Sequence, residues 1–203
     1  LEANHKKLSK LSDADRQKEV WKIRRELFGE ASEEIWANEK KYQSVTGTLK
    51  QIEDSKNLPV KEKLSMYSKS LNETFGKELP SVMENRRQNL MESFLKVVQE
   101  DLSTMSPQER KENLREIRKG MGMDISALQR WESLDAERDV RWENNEKYKN
   151  ERQGIIAKYS GDEKERKLDE IRKKFYGEEA ESVKNEESSG FYRFEQKREW
   201  GIN

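Results

Sequence analysis

Long runs with helical periodicity dominate this chain, and they hold too few apolar residues to close on one another. Only 32% of the 203 residues are apolar and 40% are charged, whereas a globular domain normally uses about 45–50% apolar residues. Helices built this way cannot all bury a face in one core. The expectation is an all-α, extended, non-globular array whose spare apolar stripes cover another molecule, which favours binding over pocket catalysis.

The ends of the helices are marked locally. Ser106-Pro107-Gln108-Glu109 places a capping hydroxyl, a proline at the first helical position and a Glu reaching back, which makes a capping box. Ser12 with Asp15, and Ser160 with Glu163, are weaker start signals, and Pro59 and Pro80 suit first turns. Gly29, Gly76, Gly122 and Gly177 each follow an apolar residue that closes a periodic run, as a left-handed glycine cap does. These signals predict about eight helices, over 13–28, 31–54, 60–75, 81–102, 107–121, 124–159, 163–176 and 178–198, joined by short glycine and proline corners. The Ile-Arg-Arg/Lys runs that precede Gly29, Gly122 and Gly177 recur at unequal intervals, so no fixed solenoid period exists.

Charge excludes several function classes. The 41 Lys and Arg balance 41 Asp and Glu, with both signs interleaved as on solvated helix faces. A nucleic-acid footprint needs a basic excess, and Lys22 to Arg25, Arg86-Arg87 and Lys173-Lys174 all sit among acids. The aromatic group Phe191-Tyr192-Arg193-Phe194 with Trp200 is flanked by Glu186, Glu187, Glu195 and Glu199, which repel phosphate, so it suits packing or a protein contact. No apolar stretch approaches the roughly 18 residues that span a bilayer, and the first residues lack a signal-peptide pattern. Without cysteine, the redox compartment is unreadable.

Chemistry-bearing groups are sparse. His5 is the single histidine and lies in a charged N-terminal stretch. No metal, cofactor or nucleotide is expected: the acids are spread evenly, and there is no phosphate loop, nucleophile elbow or EF-hand. Pairs such as Glu132 with Asp135, or Glu178 with Glu179, arise by chance in a chain this acidic.

The run from Asp124 to Tyr159 is the longest, about 54 Å if helical. Leu128, Trp131, Asp135, Arg138 and Trp142 share one stripe of it, and Leu134, Tyr148, Arg152, Ile155 and Tyr159 a second. Asp135, Arg138 and Asn145 stand where a coiled coil needs apolar residues, so self-pairing is disfavoured. Trp, Tyr and Arg dominate interface hot spots, so one stripe suits the chain's own neighbours and the other a partner.

Several further motifs follow one another along the chain. Arg25-Glu26-Leu27-Phe28-Gly29 is followed by Ile35-Trp36 and Glu39. Leu58-Pro59-Val60-Lys61-Glu62-Lys63 precedes Leu79-Pro80. Ser106-Pro107-Gln108-Glu109 and Leu114-Arg115 precede Arg130-Trp131-Glu132-Ser133-Leu134-Asp135, Arg138, Trp142, Tyr148, and Arg152 with Ile155. A closing helix runs from Arg172 through Phe175 to Glu179. From about residue 20 to 185 the chain therefore resembles the lipase-specific foldases.

That resemblance implies a non-catalytic folding chaperone that embraces one cognate secreted lipase of the α/β-hydrolase type, one to one. It also implies a periplasmic location, with membrane attachment only through an anchor outside these residues. It divides the chain into an extended scaffold over 1–105 and a part over 106–203 similar to the family's second small domain. Partner contacts are expected from Arg25, Phe28, Trp36, Arg130, Asp135, Arg138, Trp142, Tyr148 and Arg152, although the same side chains also suit internal packing. The family's Arg-x-x-Phe-Asp-Tyr activation motif has no match, and Ser188 onward departs from its final helix. Grip on a lipase is implied; activation by this segment alone is not. The other function considered is a helical scaffold or adaptor that binds a different partner or itself.

Overall fold

The structure is a computed structural model, which describes residues 8–192, 195 and 197–202. Helices make up 84% of it, and the described residues contain no strand. Among the described residues ten α-helices follow one another: α1 (Asp13–Phe28), α2 (Ala31–Ile35), α3 (Ala37–Asp54), α4 (Val60–Phe75), α5 (Leu79–Val97), α6 (Gln99–Thr104), α7 (Pro107–Gly120), α8 (Ile125–Lys158), α9 (Gly161–Tyr176) and α10 (Ala180–Ser189). His5, Arg193 and Phe194 lie outside the described residues.

Local signals place most boundaries. At the start of α7, Ser106 Oγ accepts from the Glu109 N–H, and the Glu109 carboxylate accepts from the Ser106 N–H at 3.0 Å, completing the capping box. Ser12 caps α1 by accepting from the Asp15 N–H. Ser160 stands at the N-cap of α9 but makes no side-chain cap bond. Pro80 sits in the first turn of α5, while Pro59 is itself the N-cap of α4. Gly29, Gly76, Gly122 and Gly177 all adopt positive φ, between 47° and 78°. This is backbone that a Cβ disfavours, and it reverses the chain at each corner.

Three predicted helices differ. The run 31–54 breaks at Trp36 (φ −109°, ψ 18°), and the run 81–102 breaks at Val98 (φ −103°, ψ 12°). Neither break has a glycine or proline, so tertiary packing rather than local preference bends the chain there. The last helix ends at Ser189 instead of near 198, because Gly190 takes the left-handed conformation and its N–H bonds back to Glu186 and Glu187. The segment beyond folds back over the rest of the molecule.

Two apolar cores result. The first gathers Val45, Ile52, Tyr67, Leu71, Met91, Phe94, Leu95, Leu102, Leu114 and Ile117 from α3 to α7, with Trp200 and Ile202 of the tail packed against it. Inside it Tyr67 donates to the Leu90 carbonyl at 3.0 Å and stacks on Phe94. Lys63, almost wholly buried, reaches both Asp101 carboxylate oxygens at 2.8 and 2.9 Å and fastens α4 to α6. The second core joins Tyr148, Leu168, Ile171, Val183 and Tyr192 where α8, α9 and α10 meet. Between them α8 runs 34 residues, about 51 Å.

The cores are small for the chain. The accessible surface is 13770 Å², against roughly 10,000 Å² for a compact monomer of 24.2 kDa. Helices with this few apolar residues stay spread out, and much of their length faces water.

Candidate partner-binding surface

The first corner is built by cation and aromatic packing. The Gly29 N–H bonds to the Arg25 carbonyl at 2.9 Å and ends α1, and Ser32, buried, donates to the Gly29 carbonyl at 2.7 Å. Across the turn Arg25 donates to Glu33 from Nε at 3.2 Å and from Nη2 at 3.0 Å, and Lys40 pairs with the same carboxylate. These cations, Lys40 first and then Arg25, hold the Glu33 carboxyl below the usual range. Arg24 lies over the Trp36 ring at 4.5 Å and bonds Glu39 at 2.9 Å, while Trp21 and Phe28 meet Trp36 edge-on.

This frame holds Trp36 half-buried and turns its neighbours outward. Leu27 is 71% exposed, Phe28 50% and Ile35 55%. Three large apolar side chains around one fixed corner, with Arg25 beside them, have the chemistry of a protein-contact surface: an apolar centre and a charged rim. Of the predicted residues, Phe28 and Trp36 touch here, and Arg25 pairs with Glu33 across the same corner. Leu27 and Ile35 join them, although only their positions within the motif hinted at it.

The predicted residues on α8 have different surroundings. Arg130 is exposed and donates to Ser126 Oγ at 2.6 Å. Asp135 accepts from both ends of the buried Arg118 guanidinium, which also lies over Trp131. Arg138 donates to the Ile202 carbonyl at 3.0 Å, and Trp142 lies under Arg198. Tyr148, fully buried, donates to Glu187 at 2.6 Å, and Arg152 Nε lies 2.8 Å from the same carboxylate. Arg172 completes that cluster at 2.6 and 3.0 Å; burial pulls its pKa down, but the Glu187 and Asp169 carboxylates together make the net shift upward. Asp135 and Tyr148 are therefore tied up internally, while Leu134, Val140, Ile156 and, at the start of α8, Ile125 remain at the surface.

Among the described residues no three His, Cys, Asp or Glu side chains converge as a metal site, and no helix is long and apolar enough to cross a membrane. What the molecule offers is surface: fixed corners carrying exposed apolar residues and paired charges.

No curated protein and no solved structure matches the chain. The family model described as proteobacterial lipase chaperone protein matches residues 1–180. That span takes in the first corner, both cores' main helices and all of α8, so the chain belongs to the proteobacterial lipase chaperone family, which points to a lipase as partner and folding assistance as role.

Proposed function

We propose that this chain is a non-catalytic steric chaperone that wraps one cognate secreted α/β-hydrolase lipase and favours its folded form. The observation that carries this reading is the exposed apolar corner of Leu27, Phe28 and Ile35, set on a spread-out helical array in a member of the lipase chaperone family. A ligand shifts a conformational equilibrium only by its differential affinity for the two states. A broad surface shaped to a late folding stage supplies that difference without a cofactor or nucleotide.

Within this reading Arg25, Phe28, Trp36 and Arg130 meet the lipase. Asp135, Arg138, Trp142, Tyr148 and Arg152 hold α8 to its neighbours and so keep the gripping surfaces in place. The work is done in the periplasm, with attachment to the inner membrane by a segment outside these residues.

The test is co-refolding. A denatured lipase encoded beside this protein is diluted with and without the full-length chaperone, and ester hydrolysis is measured. A gain in recovered activity that saturates at one chaperone per lipase is expected. No gain with any such lipase overturns the reading in favour of a scaffold or adaptor.

A further inference from the structure

Residues 197–202 lie beyond the family-matched stretch, yet they are held by a set of side chains from within it. The Gln99 side-chain amide donates to the Trp200 carbonyl at 2.9 Å and accepts from the Trp200 N–H at 2.8 Å. One side chain thus satisfies both backbone groups of a residue 101 positions away, as an adjoining strand would. Arg138 takes the Ile202 carbonyl, and Arg198 pairs with Asp139. The guanidinium carbons of Arg110 and Arg198 each lie 3.5 Å from the centre of the Trp200 ring.

Arg110 is itself fixed by the Leu102 and Met105 carbonyls, at 2.7 and 2.6 Å, so it is in place for the indole. Position 201 favours glycine. Its φ is +74°, and a Cβ there would stand 2.5 Å from Leu114 Cδ2 and 3.3 Å from Leu95 Cδ2.

We infer that the groove lined by Leu95, Gln99, Arg110, Leu114 and Arg138 is a peptide-binding site that recognises a Trp-Gly segment, and that its resident ligand is the chain's own C-terminal strap. Recognition divides into parts. Gln99 and Arg138 read backbone, Arg110 reads the indole face, and the Leu95–Leu114 wall crowds a side chain after the tryptophan. Tyr192 anchors the other end of the strap in the second core, where its hydroxyl bonds Asn145 of α8 at 2.6 Å. Tyr192 is thus packed in the second core, and Trp200 and Ile202 against the first. The inference stands apart from the chaperone reading, and its test contains no lipase.

Hydrogen exchange on the full-length chain reads the site directly. The Trp200 amide is expected to exchange far more slowly than in a free peptide of residues 190–203. Gln99→Ala is expected to speed it about tenfold while the amides of α4 keep their protection. Exchange of the wild-type Trp200 amide at the free-peptide rate overturns the inference.

A second measurement separates a binding site from simple packing. Full-length Gly201→Val, whose own tail no longer fits, is expected to bind the free 190–203 peptide saturably. The same peptide carrying Gly201→Val is expected not to bind. Absence of saturable binding by the variant overturns the inference, even if Gln99→Ala proves to loosen the whole first core.

Discussion

Arg118 and Asp135 form a two-pronged ion pair across the corner between α7 and α8, with Arg118 Nη1 at 2.5 Å and Nη2 at 3.2 Å from the two carboxylate oxygens. The Arg118 side chain is 1% exposed and its Nε is buried with no hydrogen-bond partner. Among the described residues, Asp135 supplies the carboxylate that pairs with this guanidinium. Asp135→Ala should destabilise the protein by about 3 kcal/mol, the cost of stranding a buried charge. Urea unfolding measures it. A loss under 0.5 kcal/mol would mean that the pair is not formed in solution.

The first corner should behave in the opposite way. Leu27 and Ile35 are mostly in water, so Leu27→Asp and Ile35→Asp should alter stability by no more than about 0.5 kcal/mol. Each should nevertheless weaken lipase binding about tenfold if the corner is a hot spot. Titration calorimetry with the folded lipase, next to the unfolding curve, separates the two effects. Undiminished binding in both variants would move the contact elsewhere.

Tyr148 joins α8 to α10 through the Glu187 carboxylate. Tyr148→Phe keeps the ring in the second core and removes the hydroxyl, which should cost about 2 kcal/mol for a hydrogen bond to a charged acceptor. Trp142→Ala should also lower thermal stability, because the ring lies beneath Arg198 of the strap. Circular dichroism melts check both.

Acid should loosen the α9–α10 pair. The Lys184 ammonium, 3.1 Å away, and the Arg172 guanidinium, 2.7 Å away, hold the Asp169 carboxyl below its ordinary value, against the opposing effect of burial. A carboxyl depressed in the folded state contributes its stability in full above its unfolded pKa, near pH 4, and loses it as pH falls through the lower folded value. Stability attributable to Asp169 should be flat from pH 7 to about 5 and decline below about 4. Asp169→Asn should flatten that acid limb in a series of melts.

Much of the helix map was legible in the residues. Ser106 to Glu109, Ser12, and the four corner glycines act over three or four positions, so their outcome is fixed wherever the rest of the chain goes. The breaks at Trp36 and Val98 were not legible. Trp36 is held by Arg24 of α1 and Val98 is buried in the first core, and neither carries a local stop signal. Gly190 was a readable stop that the helical pattern of its neighbours obscured.

The candidate site was half legible. Phe28 and Trp36 stand in one stretch and do meet, and Arg25 pairs with Glu33 across the same glycine corner. Which stripe of α8 is covered depended on partners that no periodicity reveals: Arg118 for Asp135, Glu187 for Tyr148 and Arg152, and the returning tail for Arg138 and Trp142.

By itself the sequence determined that the chain is all helix, where most helices begin and turn, and that its apolar content is too small for one closed core, since propensity, capping and composition act locally or in sum. Only the tertiary structure decided which aromatic and arginine side chains are used up inside and which face outward. Pairings such as Arg118 with Asp135, 17 positions apart, and Tyr148 with Glu187, 39 apart, exist only once the glycine corners have set the helices side by side.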